Sequence, residues 1–265
     1  MMIAPPHRHR SLFLSDLHLG ARGCRAERIL AFLQAHEASD IYLVGDILDL
    51  WHPPLPHWTP THDAILALLW QRMRQGTRLH YLTGNHDAAM RKGRGTRGRR
   101  VAILTETVHV AADGRRYLVL HGDICDRRLL RWHGLTRIGS RLDWLLRNLD
   151  ARLQQLRPPL RPRRRSLIEA LLAGVDAALG LGSASEIRLI ERARRAGCDG
   201  VICGHFHKPA LHDRHGLTYA NCGDWLDSFT ALAEDAHGRL SLLQAAAAPA
   251  PAAKFGPHLP LEARA

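Results

Sequence analysis

No apolar run in the 265 residues approaches the ~20 that a membrane-spanning helix requires. The opening stretch, MMIAPPHRHR, has no apolar h-region, so a secretory leader is not expected and the reading is cytoplasmic. The five cysteines stand singly at 24, 125, 198, 203 and 222. Without a CxxC pair, neither a zinc knuckle nor a disulfide framework is indicated, and scattered thiols suit a reducing compartment. Lysine is scarce. Of 37 basic residues 34 are Arg, a bias that base composition alone can produce, so a single Arg carries little weight.

Hydrophobic residues make up 46% and charged residues 23%, which is globular and not disordered composition. The length fits one large domain or one domain with an insertion, enough for a sizeable core. The net charge of +12 is unevenly placed. Residues 91–100 (RKGRGTRGRR) hold six basic residues and no acid, and residues 127–165 hold twelve Arg against Asp143 and Asp150. These segments carry +6 and +10, so the rest of the chain sums to −4. Such local excess suits a polyanion: a phosphorylated ligand, an anionic membrane face or nucleic acid.

Strand-like and helix-like segments alternate from residue 10 to 125. SLFLSD, DIYLVGD, RLHYLTGN and RRYLVLHGD read as strands. CRAERILAFLQAH and THDAILALLWQRMRQG read as helices, the second closed by Gly76. After a gap, helix SEIRLIERARRAG leads into strands DGVICGH, LTYANCGDW and SFTALAED. The pattern predicts an α/β core over 10–125 and 186–244. Within the gap, Leu135, Ile138, Leu142, Leu145, Leu149, Leu153 and Leu156 recur at helical steps, with most Arg outside their arc. RPPLRP breaks that helix and SLIEALLAGVDAALG starts another, so 126–185 reads as a helical insertion. The Ala/Pro-rich tail, 245–265, reads as disordered.

Five motifs follow strands: DLH (Asp16, His18), GDILD (Asp46, Asp49), GNHD (Asn85, His86, Asp87), HGD (His121) and GHFH (His205, His207). Ligand sites of α/β sheets lie at such strand ends. In extended chain, residues i and i+2 face the same side, so D-x-H and H-x-H can each aim two side chains into one site. Each motif alone is weak, and the ordered set is not. Oxygen and imidazole donors without thiolate select Mn, Fe or Zn. Seven such side chains exceed one ion but suit two that share a carboxylate. Two divalent ions against Asp16 and Asp46 leave a positive centre, which attracts phosphate and stabilises an in-line displacement.

In this order, over residues 11–125 and 198–235, the motifs resemble the calcineurin-like metallophosphoesterase superfamily. The resemblance implies a four-layer α/β sandwich around two divalent ions, Mn²⁺ first, with Fe or Zn as alternatives. Asp16, His18, Asp46 and His207 would hold one ion. Asp46, Asn85, His121 and His205 would hold the other, with Asp46 bridging. His86 would contact the reacting phosphoryl group or protonate the leaving oxygen, and Asp49 would orient His86. GDILDLW, the insertion after HGD and the NCGDW segment further resemble the UDP-2,3-diacylglucosamine pyrophosphatase branch, which acts in lipid A biosynthesis. That branch releases UMP and 2,3-diacylglucosamine 1-phosphate, and its insertion is a lid for acyl chains. Its best-known enzymes carry Arg where this chain has His86, so a sister group that keeps GNHD is the nearer match.

The lid would pair its apolar stripe with acyl chains, and Arg163, Arg164 and Arg165 with phosphates or an anionic membrane surface. The chain is then expected in the cytoplasm or peripheral on the inner face of the inner membrane. A nuclease or another nucleotide phosphodiesterase is the alternative, although the basic segments lack the interleaved aromatics of single-strand binders. A Ser/Thr protein phosphatase fits less well, because Leu50 follows Asp49 where that group usually has Arg. A non-catalytic assembly module would not need the complete ligand set.

Overall fold

The computed structural model describes residues 5–21, 23–51, 57–93, 101–125 and 181–246. Most of the expected lid, its Leu stripe and Arg163, Arg164 and Arg165 lie outside the described residues, as do 247–265 of the expected tail.

Strand β1 (His7–Leu14), helix α1 (Ala26–Ala35), β2 (His36–Val44), α2 (Pro60–Arg74) and β3 (Arg78–Leu82) form two successive β-α-β units. Strands β1, β2 and β3 are parallel, and β4 (Ala102–Leu104) adds a parallel edge. On the other side, β10 (Thr230–Glu234) and β11 (Leu240–Gln244) complete a six-stranded sheet in the order β11-β10-β1-β2-β3-β4. A second sheet has the order β5-β6-β7-β9-β8. Its strands are β5 (Glu106–Val110), β6 (Arg116–Leu120), β7 (Gly200–Cys203), β8 (Ala210–His212) and β9 (Thr218–Asn221). Helix α3 (Leu181–Arg195) packs on it. This helix begins before the expected core boundary at 186, so its first turn belongs to the segment read as insertion.

Alternation along the strands builds the layers. Leu12 and Leu14 of β1 pack with Ile29, Phe32 and Leu33 of α1 and Ile65 and Leu69 of α2. Phe13 points the opposite way and meets Tyr42, Val44, Tyr117, Val119 and Ile202 between the sheets. On β6, Leu118 and Leu120 face away from that seam and pack under Leu189, Ile190 and Ala193 of α3. The result is helices, sheet, sheet, helix: a four-layer α/β sandwich. Pro60 opens α2, and His62 Nδ1 accepts the Thr59 N–H at 3.1 Å. Gly76, at φ +105°, follows its last turn. No helix among the described residues is long and apolar enough to cross a membrane.

Sequence pattern missed β4, β5, β8 and β11. Two have three residues each, too few for a period to emerge. On β5 the polarity is inverted: His109 is buried while Val108 and Val110 are exposed. The helix read to His36 stops at Ala35, because His36 is already extended and pairs with His7.

His109 is buried for a purpose that crosses the two sheets. Its Nε2 donates to Glu234 at 2.8 Å, and its Nδ1 meets the Tyr42 hydroxyl at 3.1 Å. Glu234 is fully buried and also accepts from Ser11 at 2.7 Å, the Ala112 amide at 2.8 Å and Arg10 at 2.5 Å. Burial alone would raise the Glu234 carboxyl, but these donors lower it from 4.5 to about 2. A depressed carboxyl stabilises the fold above its unfolded value and loses that contribution as pH falls from 4.5 through about 2. Glu234→Gln is therefore expected to cost about 3 kcal/mol at neutral pH. Urea unfolding at several pH values should show the gap between wild type and variant closing below pH 4.5. Equal stability at neutral pH would remove this ion pair from the forces joining the sheets.

Candidate active site

Five parallel strands deliver the site residues from their C-terminal ends, three from one sheet and two from the other. Asp16 and His18 follow β1, Asp46 and Asp49 follow β2, and Asn85 and His86 follow β3. His121 follows β6, and His205 and His207 follow β7. The backbone stitches these loops together. Asp16 N–H donates to Gly45 O at 3.1 Å, His18 N–H to Asp46 O at 3.0 Å, and Gly204 N–H to His121 O at 3.0 Å.

The extended-chain argument for D-x-H and H-x-H does not hold locally. Asp16, His18, Asp46, His205 and His207 have φ of +54°, +45°, +52°, +68° and +53°. Left-handed backbone is costly for residues with a Cβ, and it persists where the surroundings over-determine it. Here it turns alternate loop residues into the cluster. Asp16 and His18 still converge, but His205 and His207 diverge into two adjacent groups.

One group is Asp16, His18 and His207. His207 Nε2 donates to Asp16 Oδ1 at 3.1 Å, and His18 Nε2 lies 3.7 Å from the same oxygen. The other is Asp46, His121 and His205, with His121 Nε2 3.3 Å from Asp46 Oδ2. A third overlaps the first two: His18, Asp46 and His86. Each set places its donor atoms within 4.8 Å of one another, close enough to hold a cation.

The donor chemistry fits divalent metal. His18 Nε2, His121 Nε2 and Asn85 Oδ1 are buried with no hydrogen-bond partner, although buried polar atoms are normally satisfied. His121 Nδ1 donates to Val44 O at 3.0 Å, which orients the ring with Nε2 toward Asp46. The protonation balance shows the same demand for positive charge. Burial opposes the charged form of His207 and His121, yet Asp16 raises His207 to about 9 and Asp46 raises His121 well above its ordinary range. Burial would raise Asp16 and Asp46. The imidazoles of His207 and His121 hold Asp16 well below the usual carboxylate range, and His121 with His86 does so for Asp46.

His86 sits at the rim, about one-fifth exposed at its side chain. Its Nδ1 donates to Asp49 Oδ1 at 2.9 Å, and its Nε2 lies 3.9 Å from Asp46 Oδ2. An imidazole held at one nitrogen with the other toward the centre can transfer a proton there.

Several residues that shape the site were given no role by the motifs. Asp87 takes Gly84 N–H at 2.6 Å, Tyr81 O–H at 2.6 Å and Ile47 N–H at 3.0 Å, tying the β3 loop to the β2 loop. Burial and nearby Asp46 raise its carboxyl. Arg91 donates to Gly84 O at 3.1 Å and Asp123 Oδ2 at 3.1 Å. This Arg, counted above with a polyanion-binding segment, instead joins the GNHD and HGD loops. Asn221 Nδ2 donates to Gly204 O at 3.0 Å, and Trp225 N–H to Asp16 O at 3.1 Å, so NCGDW braces two ligand loops. A Cβ on Gly84 would run into the Asp46 carboxylate. The motifs contained Asp87 and Gly84, but only their neighbours in space give them a role.

The calcineurin-like phosphoesterase family model matches residues 9–209. The chain is 29% identical over 230 residues to the UDP-2,3-diacylglucosamine hydrolase of Ralstonia nicotianae, covering 80% of this chain and 82% of that one. It is 28% identical over 254 residues to the hydrolase of the same name from Edwardsiella ictaluri, covering 91% and 93%. Among solved structures, an archaeal phosphodiesterase matches 88% of this chain and 98% of its own, at 12% identity and a TM-score of 0.42. With three quarters of its length in the family match and the strand ends bearing metal-competent clusters, the chain belongs to the calcineurin-like phosphoesterase family of metal-dependent phosphoester hydrolases.

Proposed function

We propose that the chain hydrolyses a diphosphate or phosphodiester at a two-ion centre, and that its substrate is UDP-2,3-diacylglucosamine. The observation that carries the reading is the pair of adjacent donor groups, linked by the overlapping set His18, Asp46 and His86, with the His86–Asp49 dyad at their edge. Asp16, His18, Asp46 and His207 would hold one ion. Asp46, Asn85, His121 and His205 would hold the other. When bound, the ions supply positive charge that orients the phosphate and offsets the charge of the displacement. Water oxygen bonds to phosphorus as the bond to the leaving oxygen breaks, and the water releases one proton to solvent. His86 Nε2 gives its proton to the leaving oxygen, and the Asp49 carboxylate on Nδ1 holds the ring.

The substrate assignment is supported by relatives at 28–29% identity that carry that hydrolase name. Its products are UMP and 2,3-diacylglucosamine 1-phosphate. The lid over 126–185 is assigned to acyl chains and phosphates, with Arg163, Arg164 and Arg165 on the anionic side. The competing reading, a nuclease or nucleotide phosphodiesterase, uses the same centre on another ligand.

Chelation is expected to abolish hydrolysis, with Mn²⁺ restoring it best. Asp46→Ala should lose activity and at least one ion by elemental analysis. An active variant with two ions would refute the bridging role.

His86→Ala is expected to keep both ions and lose ~10²–10⁴-fold in kcat, the range of a positioned acid or base. His86 also lies within reach of His18 and Asp46 as a ligand. Metal lost in step with rate would favour that role instead.

Mass spectrometry of UDP-2,3-diacylglucosamine incubated with enzyme and Mn²⁺, beside nucleotide-sugar and DNA panels, tests the substrate. Replacing Arg163, Arg164 and Arg165 with Ala should weaken binding to anionic vesicles, less so at high salt. DNA cleavage with the lipid substrate untouched would select the competing reading.

A further inference from the structure

Trp51 closes the GDILDLW segment, and nothing in the chemistry above uses it. Its indole lies flat on the His86 imidazole, with ring centroids 3.8 Å apart and planes 16° from parallel. The indole Nε1–H donates to the Asn85 backbone carbonyl at 2.7 Å. One side chain from the β2 loop thus grips two consecutive residues of the β3 loop. The gripped residues differ in kind. Asn85 offers a buried side-chain oxygen without a hydrogen-bond partner, and His86 offers the nitrogen at the rim.

The contacts on His86 are complementary. Asp49 fixes where Nδ1 points, but one hydrogen bond leaves the ring free to swing about the Nδ1–oxygen line. His18 meets the imidazole edge-on, at 4.6 Å and 86°, and restrains one side only. A broad aromatic face parallel to the ring removes the remaining rotation. Position matters because a misplacement of about 1 Å in a reacting group can cost 10²-fold in rate. His86 is only partly buried, so tight packing from all sides does not hold it.

We propose that Trp51 is a positioning residue for hydrolysis: its ring face sets the plane of His86, while its N–H secures the Asn85 peptide. The role rests on the proposed use of His86 as proton donor. Trp51 itself touches no reacting atom. Its removal should lower kcat and leave substrate affinity and metal content nearly intact.

Trp51→Ala and Trp51→Phe separate the two contacts. Phe keeps a flat face and loses the N–H, and thermal melting reports whether each variant folds. With Mn²⁺ and bis(p-nitrophenyl) phosphate, Trp51→Ala should lose about 10–100-fold in kcat, with KM and bound metal within about twofold. Trp51→Phe should recover most of that loss. In the zinc-loaded protein, ring-current shielding should place the His86 Cδ2 proton upfield, and Trp51→Ala should move it back. The Trp51→Ala change in a His86→Ala background should cost no more than Trp51→Phe costs alone, because the ring that its face positions is gone and only the Asn85 contact is lost. An additive loss there would overturn the proposal, as would unchanged kcat, a loss confined to KM, or metal lost in step with rate. Failure of Phe to rescue would overturn the assignment to the ring face. A fully active His86→Ala enzyme would fail differently: it would remove the catalytic reading of His86 first, and Trp51's role with it.

Discussion

Two carboxylates buried where two sheets meet set the terms for the rest of the molecule. Asp16 and Asp46 are almost wholly removed from solvent, and each remains strongly acidic. Negative charge in such a place is tolerable only with positive charge and hydrogen-bond donors around it. The chain answers with imidazoles from four different loops and with amides: His205 N–H on Asp16 at 2.9 Å and His86 N–H on Asp46 at 2.8 Å. A divalent cation satisfies the same demand more fully, and for this reason the cluster of a phosphoesterase looks underpaired in its hydrogen bonds.

That requirement explains features that would otherwise be liabilities. Five of the residues in the cluster adopt left-handed backbone. Two of the five, Asp46 and His205, follow a glycine that has little alternative. A Cβ on Gly204 would collide with Ser15, and one on Gly45 with the His121 ring. The loops approach so closely that backbone, side chain and carboxylate occupy adjacent van der Waals shells. The strain is held by cross-loop hydrogen bonds, among them one each joining Asp87 to Ile47, Arg91 to Asp123, Asn221 to Gly204 and Trp225 to Asp16. The sheets must also stay in register at their seam. The Glu234–His109–Tyr42 chain and the apolar layer around Phe13 serve that end.

Chemistry and packing divide the site between its floor and its rim. The floor holds buried groups suited to cations. At the rim, His86 is partly open, held by Asp49 at one nitrogen and by Trp51 across its face. In its proposed role as proton donor it needs both access to substrate and a fixed direction, and a flat aromatic contact supplies direction without enclosing the ring. The proposed lid would then govern which phosphate compound reaches this rim while leaving the centre unchanged.

The sequence by itself determined the α/β class, the main parallel strands, the order of the five motifs and the family they mark. These are local signals: apolar runs of strand length, helical spacing, and polar residues at strand ends. It could not reveal β4 or β8, which are too short to show a period, or β5, whose buried residue is a histidine between exposed valines. Nor could spacing show that Asp16 and His18 reach one cluster through left-handed backbone, or that His205 and His207 part into neighbouring groups. The family resemblance had implied the parting of His205 and His207, but only the tertiary structure decided the backbone that achieves it, along with the roles of Trp51, Asp87 and Arg91. Each depends on a partner far away in the chain, and sequence spacing carries no information about which loops the two sheets press together.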